Sequence, residues 1–328
     1  MAGFDPFKSD GFSLMSLTAA INAQAYTPSV LADSGLFQEE GVTTLDVSIE
    51  SDGKTVGLVA VQPRNAPPQV VVGDKRAIRS FRVPHLPERG NIMADEVQGI
   101  RAFGSENVSQ SINAIRDERL LKMRRQIDYT IESHRLAALM GNYYDAAGNV
   151  TSLFTEFGVS QQTVAMALQT STTPVRTKCQ QIINAIETTL DGIPFSGIDV
   201  YCGATFWTSL IEHSALKQTV LNWNAAADLR ADPRNPISFG GLRFIRYRGT
   251  TAVKIADTEA YAVPTGVSDL FITRFSPANY VETVNTKGIP YYAKVELMEM
   301  GKGVLLEAQS NPLNLCTRPA AIIKLTET

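Results

Sequence analysis

Apolar residues recur with different periods in different parts of this chain. Between Ser105 and Met140, a run without proline or glycine, Val108, Ile112, Ile115, Met123, Ile127, Ile131 and Ala138 return at intervals of three, four or their sums, the period of one helix face. Arg119 and His134 interrupt the stripe. The spacing predicts one helix of about 50 Å at ~1.5 Å per residue, longer than a compact core usually covers, so something further should lie along it. A membrane span is excluded, because Arg116, Asp117, Glu118, Arg119, Lys122, Arg124, Arg125, Asp128, Glu132 and Arg135 fall inside the same run. Glu118 with Lys122, Arg124 with Asp128, and Glu132 with Arg135 stand at helical-neighbour spacing and read as an internally paired, solvated face.

Upstream the period is two. Leu45, Val47 and Ile49 alternate with polar residues, and Ser51-Asp52-Gly53-Lys54 supplies a turn before Thr55 to Val61, which predicts a β-hairpin. A proline-broken loop leads to Val70-Val71-Val72, a turn at Gly73-Asp74-Lys75-Arg76, and an extended run from Ala77 to Val83. This excursion has too few bulky residues for its own core and should gain stability by lying on another surface. Residues 1–40 are polar with short apolar clusters at Leu14, Leu17, Ile21, Leu36 and Phe37. Such a segment frays unless something ties it down, and a neighbouring subunit is one candidate.

After the long helix, Tyr143 to Asn149 reads as a turn, and Val150 to Phe157 with Thr163 to Leu168 as a second hairpin. Val175, Cys179, Ile182, Ile186 and Leu190 mark an amphipathic helix stopped by Gly192 and Pro194. A strand at Asp199 to Cys202 and a helix from about Thr205 to Thr219 follow, then extended runs at Leu242 to Tyr247, Ala252 to Ile255, Leu270 to Phe275 and Tyr291 to Met300. Gly301-Lys302-Gly303 bends the chain before Val304 to Ala308.

Composition adds limits. The 328 residues are 44% hydrophobic with a net charge of -3, enough for a sizeable core and without the basic stripe of a dedicated DNA-binding module. Cys179, Cys202 and Cys316 lack metal-site or disulfide-framework spacing, which favours a reducing compartment. No secretory signal is read at Met1-Ala2-Gly3-Phe4-Asp5-Pro6, so the sequons at Asn107 and Asn149 are read as accidental.

The chemistry-bearing patterns are weak. Gly53-Lys54-Thr55 mimics the end of a phosphate-binding loop, but Ser48 stands where the upstream glycine is needed. His85, His134 and His213 lie on separate elements, and the adjacent acidic pairs Glu39-Glu40, Asp95-Glu96 and Asp117-Glu118 read as solvated charge. Tyr201, Phe206, Trp207, Leu210 and Trp223 fit core packing better than a ligand cage. In Asn222 to Pro236, Asp228, Arg230, Asp232 and Arg234 alternate in sign, as either a solvated loop or a contact with a second copy. No cofactor or metal is expected, and an enzyme reading ranks low.

Three segments, Val83-Pro84-His85-Leu86-Pro87, Glu96-Val97-Gln98-Gly99-Ile100-Arg101-Ala102-Phe103-Gly104 and Asn311-Pro312-Leu313-Asn314-Leu315-Cys316-Thr317-Arg318-Pro319, carry a family resemblance. In the order of its parts over nearly its whole length, the chain resembles the lambda-type major capsid protein E family of tailed phages. The resemblance implies an α+β, Hong Kong 97-like fold with an N-terminal arm (residues 1–40) and an extended β-hairpin loop (41–90). It also implies a peripheral domain with a long spine helix (91–172 and 281–310) and an axial α/β domain (173–280 and 311–328). The implied function is self-assembly into pentamers and hexamers of an icosahedral shell around double-stranded DNA, held without sequence specificity. Decoration, scaffolding and portal proteins are the implied further partners, assembly in the host cytoplasm the implied place, and no membrane is involved. Candidate subunit contacts are Lys54, Lys75 and Arg76 at hairpin turns, Arg101 and Arg318 in the motif segments, Arg116 and Arg124 on the long helix, and Asp228 and Arg230 in the charged loop. Two alternatives stay open here: an encapsulin-like nanocompartment holding cargo enzyme, and a soluble α/β enzyme with a concave pocket.

Overall fold

A computed structural model describes residues 13–23, 29–51, 77–97, 108–217 and 235–328. The N-terminal segment forms helices α1 (Leu14–Ala23) and α2 (Val30–Asp33) and strand β1 (Gln38–Gly41). Strands β2 (Asp46–Ser51) and β3 (Ala77–Arg82) pair antiparallel, with Asp46 opposite Arg82 and Ser51 opposite Ala77. The expected partner of β2, Thr55 to Val61, lies outside the described residues. Strand β4 (Leu86–Met93) and helix α3 (Ala94–Val97) precede the long helix α4 (Val108–Leu139), close to the span its apolar period predicts. Gly141 ends that helix at φ +82°, with no room for a Cβ beside the Phe154 ring, so only glycine serves there.

The second predicted hairpin does not form. Strand β5 (Asn142–Tyr144) pairs instead with β6 (Val150–Ser152) around a turn in which Asp145 Oδ1 accepts from the Ala147 and Asn149 amides. Leu153–Phe157 is a short helix, α5, and β7 (Gln162–Ala165) pairs parallel with a strand at the far end of the chain. Helix α6 (Val175–Leu190) buries all five residues of its predicted stripe and ends on Asp191 and Gly192, both at positive φ. Strand β8 (Gly197–Cys202) and helix α7 (Ala204–Glu212) follow. Helix α7 stops short of the predicted Thr219 because His213 is extended, and its Nδ1 accepts from the Ala215 amide to start a new turn.

Strands β9 (Ile237–Phe239), β10 (Leu242–Arg246), β11 (Glu259–Thr265) and β12 (Phe271–Phe275) continue the chain. The run from Ala252 to Ile255 is a turn, not a strand, with the Thr250 amide bonded to the Val253 carbonyl. The last strands are β13 (Tyr292–Leu297), β14 (Gly303–Ser310), β15 (Pro312–Cys316) and β16 (Ile323–Thr326).

These strands form a six-stranded mixed sheet in the order β7-β16-β11-β8-β10-β9, and two three-stranded sheets, β1-β12-β15 and β13-β14-β4. Residues 86–90, expected in the extended loop, thus belong to a sheet. Strand β4 pairs with β14 from Leu86 opposite Ser310 to Met93 opposite Gly303.

Two hydrophobic clusters form. The larger gathers α6, α7, the six-stranded sheet and β15, with Tyr201, Phe206, Trp207 and Leu210 fully enclosed. The smaller holds Leu17, Ile21, Ile92, Tyr291, Val304 and Leu306. Helix α4 joins both: Leu120, Met123, Ile127 and Ile131 enter the smaller cluster, and Leu136, Ala138 and Leu139 the larger. Two cores in series therefore cover a helix that one would not.

Candidate assembly interface

The charged side of α4 is solvated only in part: Glu118, Lys122 and Arg125 are exposed, as the sequence suggests, but other polar residues are covered. Arg116, Arg124, Asp128, Glu132, His134 and Arg135 are buried, and several of them meet the N-terminal segment. Arg124 Nη1 donates to the carbonyls of Ile21 at 2.7 Å and Asn22 at 3.2 Å, where α1 leaves its last acceptors unfilled. Its guanidinium lies 4.6 Å from the centre of the Tyr291 ring and 3.8 Å from Asp128 Oδ2. The Tyr291 hydroxyl donates to Asp128 Oδ1 at 2.5 Å. Burial and then that carboxylate push the Tyr291 pKa up, so the hydroxyl remains a donor.

One turn along, Glu132 takes three donors: the Leu31 amide at 3.1 Å, the Ser29 hydroxyl at 2.8 Å and the Tyr247 hydroxyl at 3.1 Å. Ser29 precedes α2 but makes no side-chain cap there. Glu132 supplies the anionic cap instead. Arg135 pairs with Glu39 on β1 and lies 5.5 Å from the Phe37 ring centre.

The two motif segments around His85 and Asn311 come together. His85 Nδ1 is 2.7 Å from Asn311 Oδ1, and Asn311 Nδ2 donates to the Pro277 carbonyl at 3.0 Å. Nearby, Ser276 donates to the Thr44 carbonyl at 2.6 Å. Here the base of the β2-β3 excursion meets the start of β4 and the β14-β15 link. The third segment contributes Glu96, which pairs with Arg119 of α4 at 2.8 Å.

His134, His213 and the three cysteines are enclosed individually. His134 stacks on Tyr144 at 4.2 Å, and burial lowers its pKa to about 4. His213 Nε2 is 3.1 Å from the Thr170 carbonyl. Burial raises the Cys179 and Cys316 thiols to about 12, and Cys202 is raised as well. Among the described residues no group of three His, Cys, Asp or Glu side chains could hold a metal ion.

Of the expected contact residues, Lys54, Lys75, Arg76, Arg101, Asp228 and Arg230 lie outside the described residues. Arg318 is exposed, immediately before a 3-10 turn at Pro319–Ala321. Arg116 and Arg124 are covered within the chain itself. The first is buried with its guanidinium 2.8 Å from Asp117 Oδ1, and the second is committed to the chain's own α1. Sequence reasoning missed Asp128, Glu132 and Arg135 as docking groups because it took them in pairs. With Arg124 they are spaced four, four and three apart, a single stripe beside Met123, Ile127 and Ile131, and that was the available signal.

Among the described residues, several large apolar side chains reach the surface, Met15 and Val150 among them. Leu45 and Ile78 flank the β2-β3 ladder, Val281 and Val284 occupy the loop before β13, and Leu297, Met300 and Leu305 surround the β13-β14 tip. Met300 is 92% exposed at φ +61°, so the tip presents its side chain outward.

Comparison with known proteins agrees with this architecture. The family model described as phage major capsid protein E matches residues 13–327. The major capsid protein of Pseudomonas phage KPP10 is 27% identical over 88% of this chain and 90% of its own. That of Salmonella phage Felix O1 is 23% identical over 95% of each. Among solved structures, a capsid chain of an empty GTA particle superposes with a TM-score of 0.54 at 12% identity, covering 92% of this chain and 91% of its own. The capsid of phage XM1 gives 0.52 at 13% identity, covering 93% and 95%. The fold is the α+β fold of phage capsid proteins, and the chain belongs to the phage major capsid protein E family.

Proposed function

We propose that this chain is the repeating subunit of the icosahedral head shell of a tailed phage. The observation that carries this reading is family membership over residues 13–327, on a chain that covers its capsid-protein relatives nearly end to end. The role is structural. Copies associate by heterologous contacts that close into rings, and modest interfaces gain strength by repetition. The apolar projections at Leu45, Ile78, Val281, Val284 and Met300 support contact with neighbours.

In finer detail, pentamers and hexamers would form around an axial unit built on the six-stranded sheet. A peripheral unit would be built on α4 and the β13-β14-β4 sheet. The shell would enclose double-stranded DNA, with scaffolding, decoration and portal proteins as further partners. The net charge of -3 fits a wall that does not bind the packaged DNA tightly. Particles purified from cells making the phage test this. Nuclease-protected double-stranded DNA inside them is expected, whereas particles filled with a cargo enzyme would support the nanocompartment alternative.

A further inference from the structure

The polar groups of α4 meet the N-terminal segment in chain order. Arg124 takes the carbonyls of Ile21 and Asn22, Glu132 takes Ser29 and Leu31, and Arg135 takes Glu39. From Arg124 to Arg135 the helix advances about 16 Å at ~1.5 Å per residue, and the segment runs alongside in the same direction. Signs match at each station. A cation meets the carbonyl end of α1, an anion meets the amide end of α2, and a cation meets a carboxylate. Asp128, held by Tyr291, lies beside Arg124 and balances its charge. A slip of the segment by one station would set Glu132 against the carbonyls of α1 or Arg135 against the amides of α2.

Apolar contact alone would not enforce this register. Leu17, Ile21 and Leu31 are the buried apolar residues of α1 and α2, and aliphatic side chains accept shifted neighbours of similar volume. Buried charges cost desolvation and add little net stability, but they penalise every mispairing heavily. We propose that Arg124, Glu132 and Arg135, with Asp128 as support, are positioning residues for assembly: a charge code that directs the chain's own N-terminal segment to one register on α4. The subunit then offers its neighbours one surface. The inference goes beyond the shell reading, and its test is read on the chain itself, so either can fail alone.

Hydrogen exchange on the full-length protein provides the test, comparing residues 29–41 with strands β8 and β11. Glu39 is half exposed, so Glu39→Arg leaves the core untouched while opposing Arg135. Exchange across 29–41 should rise at least tenfold with β8 and β11 unchanged. Adding Arg135→Glu should bring it back to within about threefold of the parent. A second pair is independent of that swap: Glu132→Gln, which keeps an acceptor for the Leu31 amide but removes the charge, should lose part of the protection, and Glu132→Met, which removes both, should lose all of it, each without change in β8 and β11. Unchanged exchange in Glu39→Arg, or equal behaviour of Glu132→Gln and Glu132→Met, would overturn the proposal. Loss of protection in both regions together would also overturn it, because the charges would then hold the fold in general.

Discussion

Replacing Gly288 with alanine should destabilise the subunit far more than its single methyl group suggests. A Cβ at Gly288 would sit 2.0 Å from the Phe275 carbonyl oxygen and 2.7 Å from the Ser276 carbonyl carbon. Both are backbone atoms and cannot rotate away. The segment around Gly288 would have to move away from the end of β12 by roughly 1 Å, and overpacking on this scale costs about 1–3 kcal/mol. The same movement strains two hydrogen bonds, from the Val42 amide to the Phe275 carbonyl at 2.8 Å and from the Gly288 amide to the Val42 carbonyl at 2.9 Å. Each contributes about 1 kcal/mol, so the total is about 3–5 kcal/mol. Gly90→Ala is the matched control, because its Cβ would meet no nearer atom than the flexible Met123 sulfur at 3.4 Å. It should change stability by less than about 1 kcal/mol. Urea unfolding of the unassembled subunit, followed by tryptophan fluorescence, measures both. A Gly288→Ala variant within 1 kcal/mol of Gly90→Ala would refute the close-approach argument.

Other consequences follow from buried groups. His134 titrates at about 4 when folded against 6.5 when free, so the unfolded chain binds its proton first. Its contribution is present above pH 6.5 and lost as pH falls toward 4, roughly 3 kcal/mol in all; His134→Phe, which preserves stacking on Tyr144, should flatten that part of the stability curve relative to the parent. With burial holding Cys179, Cys202 and Cys316 protonated, iodoacetamide at pH 8 should leave the native protein unlabelled and modify all three thiols in urea, read by intact mass. Tyr291→Phe removes the donor to Asp128 and should cost about 1–3 kcal/mol in the same urea assay.

Local periodicity made the two long helices legible. Helix α6 carries an uninterrupted stripe between clear stop signals, and its five apolar residues are those found buried. Helix α4 was legible in length but not in the use of its charges. Oppositely charged residues four apart look alike whether water or another segment covers them, and here the cover comes from residues about a hundred positions upstream. The failed second hairpin has a similar cause. Strand β7 satisfies its ladder with β16, from Gln162 opposite Ile323 to Ala165 opposite Thr326, a pairing that no local turn announces. Asn311 and His85 carried the family resemblance, and their hydrogen bond gives that resemblance a physical basis at the junction of three strand systems.

The central claim is self-assembly into a closed shell. Size-exclusion chromatography of the expressed full-length chain, with electron microscopy of the eluted fractions, tests it most directly. Closed polyhedral particles, or rings of five and six subunits that close on raising protein concentration, are the predicted result. A monomer or dimer that persists at every concentration, including when the phage's other head proteins are co-expressed, would contradict it.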